Sequence, residues 1–352
     1  MSDLGAVRGE DAFDVDRLAA WLERVDPTLA GTPVVRQFSG GASNLTYALS
    51  YPDRDVILRR PPRGAHVGTA HDMGREYEVQ AALRTAYPLV PQMVANCTDP
   101  EVIGSPFYVM ERIEGTILRK SIPSSLGLAP ADVERLCRNA IDAVIDLHGV
   151  DVQVAGLSDL DRGPGYVARQ VAGWSSRMRA ARTGRDAAFE AVMDWLAEHQ
   201  PPDQPHTLIH NDFRFDNLVL APSDPTQIVG VLDWEMATVG DPLMDLAGAL
   251  AYWVQADDDR VMRAMRLQPT HTTGMLTRDQ VVDYYCERRG IAMDRFRWTW
   301  YEVFGLFRLA VIAQQTYHRY HHGQTTNPAF KKFRWLVSYL ELRCRATMAG
   351  LR

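Results

Sequence analysis

The chain has 352 residues, with 38 Lys and Arg against 44 Asp and Glu, and a net charge of −6 that argues against a general nucleic-acid binder. With 46% apolar and 23% charged residues it has the composition of a globular protein, long enough for one large or two ordinary cores. No apolar run reaches membrane-spanning length, the N-terminus is acidic where a signal peptide needs a basic start, and Cys97, Cys137, Cys286 and Cys344 form no CxxC pair. The expectation is a soluble cytoplasmic protein without membrane or nucleic-acid partners, a disulfide framework or a zinc knuckle.

In chain order, residues 14–25 read as an amphipathic helix that Asp14 caps. Strand-like pieces follow at 34–38, 44–51 and 55–60, with a Ser-Gly-Gly-Ala-Ser turn between the first two. Asp72 opens a helix running to about Thr85, and β-like runs recur at 92–97 and 106–113. After Gly115 the pattern becomes helical. Residues 131–148 place Val133, Leu136, Ala140, Ile141, Val144, Ile145 and His148 on one stripe, and 165–181 and 186–198 are further helices. A compact β-like island then spans 207–220 and 228–232, and everything beyond Pro242 is helical and rich in aromatics.

The island carries the unusual chemistry. Between apolar ends, the segment from Leu208 to Leu220 holds His210, Asp212, Arg214, Asp216 and Asn217, a density that is expensive beside buried strands unless the groups have ligands. A second strand, 228–232, ends in Asp233, Trp234 and Glu235. If the two strands pair, Asn217 and Asp233 meet at the hairpin mouth, and one oxygen from each suits Mg²⁺. The competing reading is an Asp/Asn turn that bonds only its own backbone.

The order His-x-Asp-x-x-x-x-Asn, a short hairpin, then apolar-apolar-Asp resembles the catalytic and metal-binding segments of protein-kinase-like enzymes. The wording His210-Asn-Asp-Phe-Arg-Phe-Asp-Asn217 and Leu232-Asp-Trp-Glu-Met-Ala-Thr-Val-Gly-Asp-Pro242 resembles the aminoglycoside phosphotransferase and choline kinase branch. Within that branch it is most similar to the phosphotransferase domains related to those attached to acyl-CoA dehydrogenases. The resemblance runs from about Phe38 to Gln324.

It implies an α+β, two-lobed kinase-like fold: a nucleotide-binding β lobe over 1–110, a hinge at 111–115 and a helical lobe over 116–352. It implies a Mg²⁺-dependent transfer of the γ-phosphate of ATP, or GTP, to a substrate hydroxyl. In that scheme Asp212 orients or deprotonates the acceptor hydroxyl, Arg214 faces the transferred phosphate, and Asn217 and Asp233 hold Mg²⁺. Asp241 and Asp245 support the catalytic loop. His210 is read as a buried brace, and Glu235 as a surface salt-bridge partner rather than a ligand of a second metal ion.

On the nucleotide side, Gly40, Gly41 and Ser43 lie in a turn whose amides can approach phosphates closely. The family's phosphate-binding lysine slot holds Arg59 here, a departure that keeps the charge but changes its shape. Glu76 fits as its partner, and the main chain of Glu111 and Ile113 is expected to meet the base.

For the acceptor, the segment beyond Val311 carries Arg319, Lys331, Lys332, Arg334, Arg343, Arg345 and Arg352 against Glu341 alone. That balance favours an anionic hydroxyl such as a hydroxyacyl-CoA over aminoglycoside-like acceptors. Trp298, Trp300, Tyr301, Phe304 and Phe307 read as core, and Asp257, Asp258 and Asp259 as a solvent-facing run. The alternative function is a nucleotide- or CoA-binding pseudokinase module, for which Arg59 is the argument.

Overall fold

A computed structural model of the chain describes residues 4–39, 44–62, 72–184 and 188–350. The first stretch alternates β1 (Leu4–Gly5), α1 (Val15–Val25), β2 (Val34–Phe38), β3 (Leu45–Ser50), β4 (Asp55–Arg60), α2 (Met73–Leu83), β5 (Met93–Cys97) and β6 (Phe107–Glu111). Helices α3 (Pro130–His148), α4 (Tyr166–Ala180) and α5 (Glu190–Glu198) come next. Four short strands follow: β7 (Thr207–Ile209), β8 (Leu218–Leu220), β9 (Ile228–Val231) and β10 (Thr238–Gly240). The chain continues through α6 (Pro242–Ala251), α7 (Arg260–Ala264), α8 (Arg278–Arg289), α9 (Arg295–His321) and α10 (Phe333–Met348). The third helical segment starts at Glu190, later than its sequence pattern suggests, after Phe189 takes a φ of 53° with its ring fully buried.

The chain divides into two compact units: residues 1–116 with 153–157 and 218–237, and residues 117–152 with 158–217 and 238–352. The hairpin β8–β9 therefore belongs with the sheet, whereas chain order alone assigns it to the helical part. Its ties are specific. Val231 N–H donates to Leu89 O at 2.8 Å, and Thr116 and Leu220 exchange backbone bonds of 3.0 and 2.9 Å. Gly115, at φ 155°, permits that approach, since a Cβ there would lie 2.2 Å from the Leu220 carbonyl oxygen.

The first unit is built on an antiparallel sheet in the order β1-β2-β3-β4-β6-β5. Strand period 2 sorts its residues into two faces. Tyr47, Leu49, Val56, Leu58, Phe107 and Val109 pack with Leu18 and Leu22 of α1. Ala48, Ile57, Tyr108 and Met110 pack with Met73 of α2.

The same alternation separates the adjacent arginines of β4. Arg60 falls on the α1 side, buried under Phe13 and Tyr47, with its guanidinium 2.6 Å from Asp11 O and 3.1 Å from Tyr47 Oη. Arg59 falls on the α2 side. A slip of one residue would exchange their surroundings.

In the second unit β7 pairs antiparallel with β10, bringing Leu208 opposite Val239. Around this pair the helices start where acid or hydroxyl side chains cap them: Asp241 for α6, Asp259 for α7, Thr277 for α8 and Asp294 for α9. Helices α6 and α9 cross closely at Gly305, where a Cβ would sit 2.4 Å from Ala247 O. Trp300, Tyr301, Phe304 and Phe307 are buried along α9, with Trp300 and Phe304 stacked at 5.6 Å, so the aromatic cluster is core. Among the described residues, no helix is long and apolar enough to cross a membrane.

Candidate active site

The first unit gathers a cluster of opposite charges around Arg59. From β4 the guanidinium reaches across the α2 face. Its Nη1 lies 2.8 Å from Glu76 Oε1, its Nη2 lies 2.9 Å from Asp233 Oδ1, and the same Nη2 is 3.9 Å from Glu235 Oε2. Glu76 sits in the first turn of α2, which Asp72 caps through the Arg75 N–H at 3.0 Å. The Glu76 side chain is only 2% exposed, and the hydroxyl of buried Tyr108 donates to its Oε1 at 2.8 Å. Burial opposes charge on Arg59, but the carboxylates of Glu76 and Asp233 outweigh it and hold the guanidinium well above its ordinary pKa. Burial likewise pushes the Glu76 carboxyl up against the pull of Arg59.

Asp233 follows β9 with a φ of 70°, a left-handed conformation that costs a non-glycine residue about 1 kcal/mol or more. The backbone just beyond it is held by Arg75, whose guanidinium donates to the carbonyls of Glu235 and Ala237. Glu235 is not a surface residue: its side chain is 14% exposed and accepts from Asn44 Nδ2 at 3.1 Å. That bond ties the metal-type segment to the residue that ends the glycine-rich turn. Gly40, Gly41 and Ser43, expected from the sequence to approach phosphates, lie outside the described residues.

Of the two hinge candidates, Glu111 has its N–H committed to Gln92 O at 2.8 Å and its carboxylate to Arg54. Ile113 packs beneath Gly230, where any Cβ would come within 2.6 Å of its Cδ1.

The second unit holds the polar loop between β7 and β8. Asp212 and Asn217 meet there. Asn217 Nδ2 donates to Asp212 Oδ2 at 3.1 Å and to Asp212 O at 2.9 Å. Arg214 lies between Asp212, 3.2 Å from its Oδ1, and Asp216, 3.1 Å from its Oδ2, with its guanidinium 4.9 Å from the Tyr252 ring centre. The loop turns at Asn211, which takes a φ of 65°.

Asp245 of α6 holds that turn, accepting from Asn211 N–H at 2.7 Å and His210 N–H at 2.9 Å while its Oδ2 lies 3.1 Å from His148 Nε2. From α9, Arg308 donates to Asn211 O at 2.6 Å. Burial works against the charge on Asp245, but the His148 hydrogen bond and the loop amides prevail and lower its pKa. Asp241 caps α6 and accepts from Tyr301 Oη at 3.0 Å. His210 is fully buried, and its Nδ1 accepts from the Asp212 N–H at 3.2 Å, as a brace would.

A separate cavity of about 710 Å³ opens among α6, α9 and α10, and Trp298, Glu302 and Arg343 line it. Asp257, Asp258 and Asp259 also border it, but they are no free acidic run. Asp258 is buried and pairs with Arg278 at 2.7 Å, and Arg343 lies 3.4 Å from it. Among the described basic residues beyond Val311, Arg343 is engaged in an ion pair here and Arg345 in one with Glu341 at 3.0 Å.

Sequence reasoning missed several residues. Tyr108 reads as an ordinary core aromatic within Phe107–Glu111. Asn44 reads as the end of a turn, and nothing local marks Arg308 as a partner of Asn211. The single available signal was the repeated Asn and Asp at the turns of the loop, residue types that tolerate φ above zero.

The sequence profile of the Phosphotransferase enzyme family matches residues 34–277. The chain belongs to that family. It is 35% identical over 324 residues to "Acyl-CoA dehydrogenase family member 10" of Mus musculus, covering 91% of this chain and 30% of that protein. It is 34% identical over 340 residues to "Acyl-CoA dehydrogenase family member 11" of Gallus gallus, covering 95% of this chain and 43% of the relative. The chain thus spans less than half the length of these curated relatives. A solved structure from Ralstonia eutropha, described as a candidate aminoglycoside phosphotransferase, superposes with a TM-score of 0.80 at 27% identity, covering 97% of this chain and all of that one. The fold is that of the protein-kinase-like phosphotransferases.

Proposed function

We propose that this phosphotransferase-family chain moves the γ-phosphate of ATP, or of GTP, to the hydroxyl of a small molecule. The observation that carries the reading is the braced loop of the second unit. A carboxylate, Asp212, stands 27% exposed on a backbone whose turn is fixed by Asp245 and Arg308. A group so held can orient an acceptor hydroxyl and take its proton without reorganising. Arg214, beside Asp212, offers positive charge to the transferred phosphoryl oxygens.

In the first unit, Arg59 backed by Glu76 meets nucleotide phosphates. The carboxylates at Asp233 and Glu235 are hard oxygen donors of the kind Mg²⁺ prefers, so the chemistry of the donor set fits the ion. Asp233 is the ligand that the first unit offers it. Bound Mg²⁺ would neutralise charge on the phosphates.

For the acceptor, we propose an anionic hydroxyl compound of the hydroxyacyl-CoA type. The names of the relatives and the exposed Arg319, Lys331 and Lys332 support that class over a polycationic aminoglycoside. The pseudokinase alternative rests on Arg59, and the intact Asp212 loop speaks against it. A mass-spectrometric screen tests the reading, offering Mg-ATP and Mg-GTP with hydroxyacyl-CoAs, aminoglycosides and choline-type alcohols. A phosphorylated product is expected from the first acceptor class. Nucleotide binding without any product across the panel would favour the pseudokinase.

A further inference from the structure

The guanidinium of Arg59 does something a lysine in its place would not. Its two terminal nitrogens serve different carboxylates, Nη1 on Glu76 at 2.8 Å and Nη2 on Asp233 at 2.9 Å. The two partners are unequal. Glu76 is 2% exposed and braced by the Tyr108 hydroxyl, so that arm is anchored. Asp233 is 34% exposed, so the second arm closes over a carboxylate that solvent and ions can reach.

Two further observations describe how this arm is held. Arg59 Nε is buried without a hydrogen-bond partner among the described residues, so the group is held by its ends alone. Glu235 Oε2 lies 3.9 Å from the same Nη2 and offers a neighbouring anion while the arm moves. A lysine offers one nitrogen on a shorter stem, which cannot span both acids as separate forks.

We propose that Arg59 is a two-position fork that makes divalent-cation binding and nucleotide-phosphate binding depend on one another. One arm stays on Glu76. The other covers Asp233 until a cation takes that carboxylate, and it then turns to a phosphate oxygen. The inference rests on the reading of Asp233 as a metal ligand. It adds that Arg59 competes with the metal when nucleotide is absent and cooperates with it when nucleotide is present. By linkage the effect is reciprocal: whatever the cation does for nucleotide affinity, nucleotide does for cation affinity.

Mn²⁺ binding to the full chain, followed by electron paramagnetic resonance with and without a non-hydrolysable ATP analogue, tests this. Arg59→Lys keeps the positive charge but removes the fork. Without nucleotide it should bind Mn²⁺ about tenfold more tightly than the native chain, and the gain in Mn²⁺ affinity caused by nucleotide should shrink by about the same factor. Unchanged or weaker Mn²⁺ binding in Arg59→Lys would overturn the fork. Asp233→Asn separates the two claims. If it binds Mn²⁺ like the native chain, the ligand assignment itself fails; if it loses Mn²⁺ while Arg59→Lys behaves as native, only the fork fails.

A crystal of the native chain grown with Mn²⁺ and no nucleotide provides a check that needs no variant. Metal on Asp233 with Arg59 Nη2 moved out of hydrogen-bonding range supports the proposal. Metal there with the 2.9 Å contact intact contradicts it.

Discussion

The two polar clusters are built on opposite principles. Around Arg59, one guanidinium faces the three carboxylates of Glu76, Asp233 and Glu235, and its Nε is buried without a partner. Around Asp245, one carboxylate receives two loop amides and faces a histidine ring, and Arg308 holds the turn through Asn211 O. The first arrangement sets one guanidinium among three carboxylates, of which Asp233 is 34% exposed. The second is over-determined and keeps a non-glycine residue at φ 65°. The proposed function has a use for both: ligands would enter and leave the nucleotide side, while the group that aims the acceptor hydroxyl would be held still.

Breaking the rigid cluster should have the largest effect on stability. Asp245→Ala leaves the amides of His210 and Asn211 and the His148 ring without their acceptor, deep in the second unit. A loss of about 4 kcal/mol is expected, read as a fall in the denaturation midpoint. A loss below about 1 kcal/mol would show that the loop holds itself.

The pH dependence sharpens the same point. The Asp245 carboxyl is held below its ordinary value, so its contribution is fully present above the ordinary aspartate range. That contribution disappears as the pH falls through the lowered value. Asp245→Asn should therefore flatten the acid limb of the stability profile, and an unchanged acid limb would place the sensitivity elsewhere.

The Arg59 cluster should answer more gently. Tyr108→Phe removes one of the two donors on Glu76 Oε1 and keeps the packing. A cost of about 2 kcal/mol is expected in denaturant titrations, with nucleotide affinity weakened because the Arg59 anchor loosens. Full nucleotide affinity in this variant would mean that Glu76 needs no second donor.

Much of this was legible in the sequence, for reasons that can be located. Period-2 patterning marked the strands that form the sheet, and Asp72 was read correctly as a helix start because a cap is a local event. The pairing of Arg59 with Glu76 followed from the resemblance, and the alternation along β4 accounts for why the neighbouring Arg60 is buried on the opposite face. What was not legible depends on distant contacts. Glu235 looked like a surface acid because its partner Asn44 is 191 residues away. The placement of β8–β9 with the sheet depends on Leu89 and Thr116, which nothing in the hairpin announces. Nothing local in α9 marks Arg308, whose bond to Asn211 O spans 97 positions.

The proposed function divides the labour: Asp212 would serve the acceptor and Arg59 the nucleotide. It is tested most directly by measuring nucleotide affinity and phosphate transfer side by side in Asp212→Asn. The account predicts nucleotide affinity within about twofold of the native chain while transfer to the hydroxyl acceptor falls by about a thousandfold. Transfer at the native rate in that variant would contradict it.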